Sequence, residues 1–76
     1  MENFILTLFK GLVTAPEQIS IEKSELDSGA VLYNVSVAPE DMGRVIGKGG
    51  RMVKSIKALF KAVAAKRGID ASLEVR

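Results

Sequence analysis

The spacing of apolar residues changes several times along the chain, and each change predicts a new element. Over residues 3–13 the apolar side chains recur at helical spacing, which predicts an amphipathic helix with Asn3 as its N-cap. Gly11 and Pro16 predict where that helix frays and stops. From residue 19 to about residue 26, isoleucines alternate with polar residues, as in a half-buried strand. The chain therefore opens with a helix and a strand.

A turn, a second strand and a short helix are predicted next. Asp27-Ser28-Gly29 is typical of a turn, in which Gly29 is free to adopt a positive φ. Alternating apolar residues over residues 31–37 predict a strand with one face in the core. Pro39-Glu40-Asp41 favours a helix start, because proline suits the first position and acids suit the positive end of the helix dipole. The glycines within residues 47–50 end this helix.

A longer helix and a final strand complete the pattern. Residues 51–67 carry an apolar stripe at helical spacing, and Gly68 suits the position after the helix end. Alternation over residues 71–75 predicts the last strand. The order α-β-β-α-α-β predicts one α+β domain over residues 1–76, with three helices on one face of a three-stranded mixed sheet. The stripe consists of Met52, Val53, Ile56, Leu59, Phe60, Val63 and Ala64.

Composition narrows the classes of function. The sequence of 76 residues is 47% apolar, which suits a single domain with a real core rather than a disordered chain. It contains no cysteine and no histidine, so it lacks thiolate ligands, disulfides and the commonest general base. Asp27, Glu40 and Asp41 form no convincing acid pair at an apolar pocket. We therefore expect no enzyme activity and no catalytic residue, metal, cofactor or small-molecule substrate.

The apolar runs are short, which predicts that no segment spans a membrane. The sequence starts with Met1-Glu2-Asn3, which is acidic where a signal peptide is basic. We therefore expect a cytoplasmic protein.

The formal net charge of +2 hides a strong asymmetry along the chain. Residues 44–67 contain eight basic residues and no acid, whereas residues 1–43 contain seven acids and two lysines. Such a separation favours a polyanionic partner bound on one defined face. The eight basic residues are Arg44, Lys48, Arg51, Lys54, Lys57, Lys61, Lys66 and Arg67.

The candidate chemistry lies at residues 47–50, Gly47-Lys48-Gly49-Gly50, which we call the glycine loop. Glycines let the backbone approach a ligand closely and expose its amides, and the helix that follows contributes a partial positive charge. Lys48, Arg51 and Lys54 add full charges within one turn. The pattern favours a site for phosphate groups, although the same glycines would also suit a simple turn between helices.

Two other phosphate motifs do not fit. A nucleotide P-loop needs four residues between its glycines and a Ser or Thr after its lysine, but only three residues separate Gly43 from Gly47, and Gly49 follows Lys48. A dinucleotide-binding fingerprint would need its third glycine where Met52 stands.

The residues around the loop are similar to those of a known family. Residues 37–51, Val37-Ala38-Pro39-Glu40-Asp41-Met42-Gly43-Arg44-Val45-Ile46-Gly47-Lys48-Gly49-Gly50-Arg51, resemble the corresponding segment of the small single-domain bacterial KH proteins of the KhpA family. Residues 62–68 are similar to that family too, and the resemblance covers residues 19–75 well. It implies a type II KH domain that binds single-stranded RNA through a GxxG loop.

The resemblance also implies a division of labour within the site. Backbone amides of residues 47–50, with Lys48 and Arg51, would hold phosphates, and a groove beside Val45, Ile46 and Val53 would receive unpaired bases facing the last strand. Family members commonly carry a polar residue where this chain has Gly49, so we expect a slightly weaker grip. The full set implied is Gly47, Lys48, Gly49, Gly50, Arg51, Lys54, Arg44, Val45, Ile46 and Val53.

The four aromatic residues are expected to be buried, so base stacking is not expected and one domain should bind RNA weakly. The resemblance implies an RNA chaperone or post-transcriptional regulator with an influence on cell division and cell shape. It also implies a homodimer, or a heterodimer with a larger KH protein of the Jag (KhpB) type. The alternative is a dimerising scaffold subunit whose partner makes most of the RNA contact. Replacing Lys48 and Arg51 distinguishes the RNA-binding protein from the scaffold subunit, because a scaffold does not need these two charges.

Overall fold

A computed structural model describes residues 1–75 of the chain. The described elements follow the predicted order, α-β-β-α-α-β, with single 3-10 turns at Pro16–Gln18, Pro39–Asp41 and Lys48–Gly50. The helices and strands are α1 (Glu2–Lys10), β1 (Ser20–Glu25), β2 (Val31–Ser36), α2 (Met42–Ile46), α3 (Arg51–Lys66) and β3 (Ala71–Val75). No helix within the described range is long and apolar enough to cross a lipid bilayer.

The start of α1 differs from the prediction. The helix begins at Glu2, and the Ile5 amide donates to the Met1 carbonyl at 3.0 Å, so Met1 occupies the N-cap position without a side-chain hydrogen bond. Asn3 lies inside the first turn, and its carbonyl oxygen accepts a hydrogen bond from the Thr7 hydroxyl at 2.8 Å. The prediction of Asn3 as N-cap was therefore wrong, because the helix gains about two further backbone hydrogen bonds by starting two residues earlier.

The sheet has the order β1-β2-β3 and is mixed, as expected. β1 and β2 form an antiparallel hairpin whose turn contains Gly29 at φ 90°. β2 and β3 are parallel, with Tyr33 opposite Leu73. Parallel strands need a crossover connection, and α2, the glycine loop and α3 provide it. The crossover thus fixes the glycine loop between two helices at one end of the domain.

The three helices pack on one face of the sheet around Phe60, which is fully buried. Its ring lies 5.7 Å from that of Tyr33 in an edge-to-face arrangement and 6.4 Å from that of Phe4 in a stacked one. The opposite face of the sheet is polar apart from Leu32, in line with the alternation along the strands, and carries Glu22 and Asn34 opposite each other. The buried apolar cluster is Ile5, Phe9, Tyr33, Val35, Val37, Val45, Ile56, Phe60, Ala64, Ala71 and Leu73.

The end of α3 follows the predicted pattern. The Gly68 amide donates to the Ala65 carbonyl at 3.0 Å, and the Ile69 amide donates to the Ala64 carbonyl at 2.9 Å. These two bonds form a Schellman motif, which places Gly68 at C′ with φ 70°. The chain therefore turns sharply into β3 at the position that the sequence marks.

Candidate nucleic-acid interface

Gly47 begins the glycine loop, and no other residue fits there. Its φ is 74°, and a Cβ atom built on it would lie 2.6 Å from the Met52 Cβ and 3.0 Å from the Met52 amide nitrogen. Gly49 and Gly50 also have positive φ, 66° and 77°, but face open space. Gly47 thus permits close packing of the loop on α3, whereas Gly49 and Gly50 supply backbone conformation alone.

The loop presents backbone amides to the outside. The Gly47 amide donates to the Gly43 carbonyl at 2.9 Å, and the Gly50 amide donates to the Gly47 carbonyl at 3.3 Å. Between them lie Lys48 and Gly49, and no side chain among residues 1–75 accepts a hydrogen bond from either amide. Both residues are exposed. Two adjacent donors at the tip of a loop can bind one anionic oxygen or two neighbouring ones.

Unpaired cations surround these amides. Lys48, Arg51 and Lys54 are exposed, and none has a carboxylate within 4.0 Å in the described part of the chain. Arg51 is the first residue of the 16-residue α3, so the positive end of that helix dipole lies at the loop. Arg44 lies on α2, is 64% exposed, and its Nε atom is 4.0 Å from Asp41 Oδ1. The predicted cations therefore lie together in sequence and in space around the loop.

The apolar residues beside the loop divide into two kinds. Ile46 is 38% exposed and Val53 is half-buried, so both offer surface to a ligand. Val45 is completely buried and belongs to the core cluster, where it anchors α2 against the sheet. Its side chain has no surface with which to touch a base. Of the three predicted groove residues, Ile46 and Val53 therefore have exposed surface and Val45 has none.

The basic residues further along α3 have other surroundings. Lys57 Nζ lies 3.0 Å from Glu74 Oε2 on β3, in a pair that is largely in solvent and stabilises the fold by less than about 1 kcal/mol. Lys61 and Lys66 are exposed about three and about four turns beyond the loop. Arg67 Nη1 lies 3.4 Å from the Met1 sulfur at the other end of the domain. The compact cationic surface is therefore the part of the row closest to the loop.

The sequence did not reveal that one charged residue next to α2 is buried. Asp41 is the only charged side chain that is buried among residues 1–75, and it is completely enclosed. Its pKa is lowered, first because its carboxylate accepts a hydrogen bond from the Thr14 amide, and further by the Thr14 hydroxyl, the Ala15 amide and the Arg44 charge, whereas burial opposes the shift. In the sequence Asp41 is an ordinary acid in a first helical turn, and its partners lie 26 and 27 residues away, so no local pattern marks it.

A shallow apolar groove lies between α1 and α3. It has a volume of about 300 Å³, and two apolar residues of the predicted stripe, Met52 and Leu59, line it while remaining 40% and 47% exposed. The stripe is therefore wider than the surface that packs on the sheet. The groove is lined by Leu8, Gly11, Leu12, Met52, Ser55, Ile56 and Leu59. No group of three or more potential metal ligands occurs within residues 1–75.

An α-β-β-α-α-β fold with a GxxG loop between its second and third helices is that of a type II KH domain. Residues 2–75 match the family model described as "KhpA/KhpB, KH domain", and the chain belongs to that family.

Curated relatives cover nearly the whole chain. A protein of Listeria monocytogenes serovar 1/2a named "RNA-binding protein KhpA" is 45% identical over 99% of this chain and 97% of its own length. Proteins of the same name from Chlamydia pneumoniae and Clostridium acetobutylicum are each 36% identical over 99% of the chain, covering 95% and 99% of their own lengths. No solved structure matches the chain at a significant level.

Proposed function

We propose that this chain is a non-enzymatic RNA-binding protein that holds single-stranded RNA at the glycine loop. One observation carries the proposal: Lys48 and Gly49 are exposed at the tip of the loop, no side chain within residues 1–75 accepts a hydrogen bond from their amides, and three unpaired cations lie around them. A loop that served only to turn the chain would not need this concentration of donors and charge. The family to which the chain belongs, and the names of its relatives, support the same reading.

The phosphate backbone is the ligand of the loop in this proposal. The amides of Lys48 and Gly49 donate to phosphate oxygens, with Arg51 and the N-terminus of α3 adding positive potential. Lys54 and Arg44 extend the positive surface along α3 and α2. Contacts of this kind provide affinity without sequence information and weaken as salt rises.

Unpaired bases lie beside the loop, on Ile46 and Val53. None of the four aromatic residues is exposed, since Phe9, Tyr33 and Phe60 are buried and Phe4 is half-buried. Stacking on an aromatic ring adds about 1–3 kcal/mol per base in other single-strand binders, and this chain forgoes it. We therefore propose weak, sequence-tolerant binding of about four nucleotides per domain.

Weak and reversible binding of this kind suits an RNA chaperone or a post-transcriptional regulator acting on cytoplasmic transcripts. Two such domains held together would bind RNA with an apparent affinity about 10²–10⁴ times higher than one alone. An influence on cell division and cell shape would then follow from the transcripts that the protein regulates.

The test is fluorescence anisotropy of a short labelled single-stranded RNA at two salt concentrations. The parent is compared with Lys48→Asp/Gly49→Asp and with a control of equal charge change, Lys61→Asp/Ala62→Asp, at exposed positions further along α3. All variants are first shown to be folded by circular dichroism. We expect salt-sensitive binding by the parent and the control and none by the loop variant. Equal binding by the parent and the loop variant would remove the glycine loop as the RNA site.

A second candidate function is supported by the groove between α1 and α3. Met52 and Leu59 are exposed there in an otherwise well-packed domain, which favours a protein partner. In this alternative the chain is a dimerisation or scaffold subunit, as a homodimer or with a larger KH protein of the Jag (KhpB) type. Light scattering of the parent and of Leu59→Lys distinguishes the candidates. A scaffold loses its assembly in Leu59→Lys and keeps its function when Lys48 and Arg51 are replaced.

A further inference from the structure

The buried carboxylate of Asp41 connects two distant parts of the chain. Asp41 Oδ1 accepts hydrogen bonds from the Thr14 amide at 3.0 Å and from the Thr14 hydroxyl at 2.8 Å, and Oδ2 accepts one from the Ala15 amide at 3.1 Å. Thr14 and Ala15 belong to the segment that leaves α1, whereas Asp41 immediately precedes α2. The contact therefore ties the start of α2 to the segment between α1 and β1.

The helix held in this way is too short to orient itself. α2 has five residues, Met42–Ile46, and an isolated helix of one or two turns is unstable in water. Three side chains fix it in the domain: Val45 enters the core, Met42 packs against the core, and Asp41 anchors the residue before the first turn through hydrogen bonds. Gly47 follows directly after its last residue. The direction in which the glycine loop points therefore depends on these contacts, together with the close packing of Gly47 on Met52.

No other side-chain hydrogen bond within residues 1–75 reaches the segment from Pro39 to Gly50. Arg44 lies one turn before the loop, and its Nε atom is 4.0 Å from the same Asp41 oxygen that Thr14 contacts. One carboxylate thus holds both the helix that leads to the loop and a cation beside the loop. Burial of a charged group is costly unless it is fully hydrogen-bonded, and here it accepts three hydrogen bonds.

We propose that Asp41 is a positioning residue for RNA binding, which sets the orientation of α2, and through it the exposed amides of Lys48 and Gly49, by holding the Thr14–Ala15 segment. The proposal rests on the proposed function of the glycine loop. Asp41 itself is enclosed and touches no RNA. Its loss changes the geometry of the donors rather than their number.

The test separates positioning from stability. In Asp41→Asn the side chain keeps its shape, but its amide group faces the Ala15 amide, donor against donor, or turns to face Thr14 in the same way. Thr14→Val removes one donor and keeps the size of the side chain, so it maintains the test if Asp41→Asn does not fold. Val35→Ala is the stability control, because Val35 is fully buried on the central strand β2, outside the segment that carries Asp41, α2 and the glycine loop.

Two readouts are taken at a temperature at which every variant is folded. The first is the amide ¹H–¹⁵N resonances of residues 47–50 without RNA, and the second is RNA affinity by anisotropy. We expect Asp41→Asn to displace the loop resonances and weaken RNA binding roughly threefold to tenfold, with a smaller effect in the same direction for Thr14→Val. Val35→Ala should lower Tm while leaving both readouts unchanged.

The outcomes distinguish this inference from the proposed function. If Lys48→Asp/Gly49→Asp abolishes RNA binding but Asp41→Asn binds like the parent, positioning by Asp41 is wrong and the loop remains the site. If Val35→Ala loses as much affinity as Asp41→Asn at a similar loss of Tm, the effect is one of stability and positioning is again overturned. If Lys48→Asp/Gly49→Asp binds RNA normally, the proposed function itself fails at this site.

Discussion

At the scale of single residues, the glycine loop requires glycine at Gly47 and at Gly49 for different reasons. Gly47 needs both a positive φ and the absence of a Cβ, because that atom would overlap with Met52. Gly49 needs the positive φ alone, since nothing lies within 4 Å of its would-be Cβ. The loop is therefore closely packed on α3 at its start and open at its tip. A site that binds the phosphate backbone of RNA requires such an open tip.

We expect Gly47→Ala to destabilise the domain by roughly 2 kcal/mol or more, since left-handed strain and the overlap with Met52 add together. Gly49→Ala is the matched comparison and should cost about 1 kcal/mol, from conformation alone. The free energy of unfolding in urea measures both. Equal losses would mean that the loop moves away from α3 to make room, and that the close packing at Gly47 contributes little.

The pH dependence of stability should reveal Asp41. Because the pKa of its carboxyl is lowered in the folded protein, the stabilisation is fully present above the unfolded-state pKa of about 4 and is lost as pH falls through the folded pKa. The difference in unfolding free energy between the parent and Asp41→Asn should be constant at neutral pH and shrink below about pH 4. Urea unfolding from pH 2 to pH 7 measures it. A difference that stays constant throughout would show that the charge of Asp41 contributes nothing.

The sequence was informative about residues whose role is local and uninformative about those whose role is not. Gly29 and Gly68 have positive φ as expected, because a turn and a helix end are set by a few neighbouring residues. The burial and hydrogen bonding of Asp41 were not predicted, since its partners lie on a distant segment that only the folded chain brings near. The prediction of Asn3 as N-cap was wrong, because a helix start two positions earlier competes with a good capping residue.

At the scale of elements, the periodicity of α3 predicted its length and its inward face. It did not predict how much of that apolar face is covered by the rest of the domain. Ile56, Phe60 and Ala64 pack on the sheet, whereas Met52 and Leu59 border the groove beside α1. A helical pattern gives the angular spread of apolar residues and says nothing of how closely the next helix approaches. The groove is therefore a property of the packing of α1 on α3, which the pattern leaves open.

Two substitutions on α3 separate its buried and exposed apolar residues. We expect Ile56→Ala to cost about 2–5 kcal/mol, since it opens a cavity in the core, and Leu59→Ser to cost less than about 1 kcal/mol in the monomer. Chemical unfolding at low protein concentration measures both. If Leu59→Ser proves as costly as Ile56→Ala, or its effect grows with protein concentration, then Leu59 is covered in solution by another chain.

At the scale of the whole molecule, the basic residues are concentrated in one part of the fold. The stretch from Arg44 to Arg67, which holds eight basic residues and no acid, coincides with α2, the glycine loop and α3, while β1 carries Glu22 on the face of the sheet away from the helices. This separation could be predicted before the fold was known, because the charges follow directly from the order of residues along the chain. Which lysines remain available to a ligand depended on tertiary contacts, as the pairing of Lys57 with Glu74 shows.

The salt dependence of RNA affinity tests whether RNA binds to the basic residues nearest the glycine loop. For a single strand, log K falls with log salt with a slope of about −0.7 for each phosphate contact. Lys54 is unpaired within residues 1–75 and lies one turn from the loop, whereas Lys57 lies one turn further and pairs with Glu74. We expect Lys54→Gln to reduce the steepness of the slope by about 0.7 and Lys57→Gln, which removes the same charge, to leave it nearly unchanged. Equal changes would indicate that the RNA responds to the net charge of α3, and that no lysine beside the glycine loop makes a contact of its own.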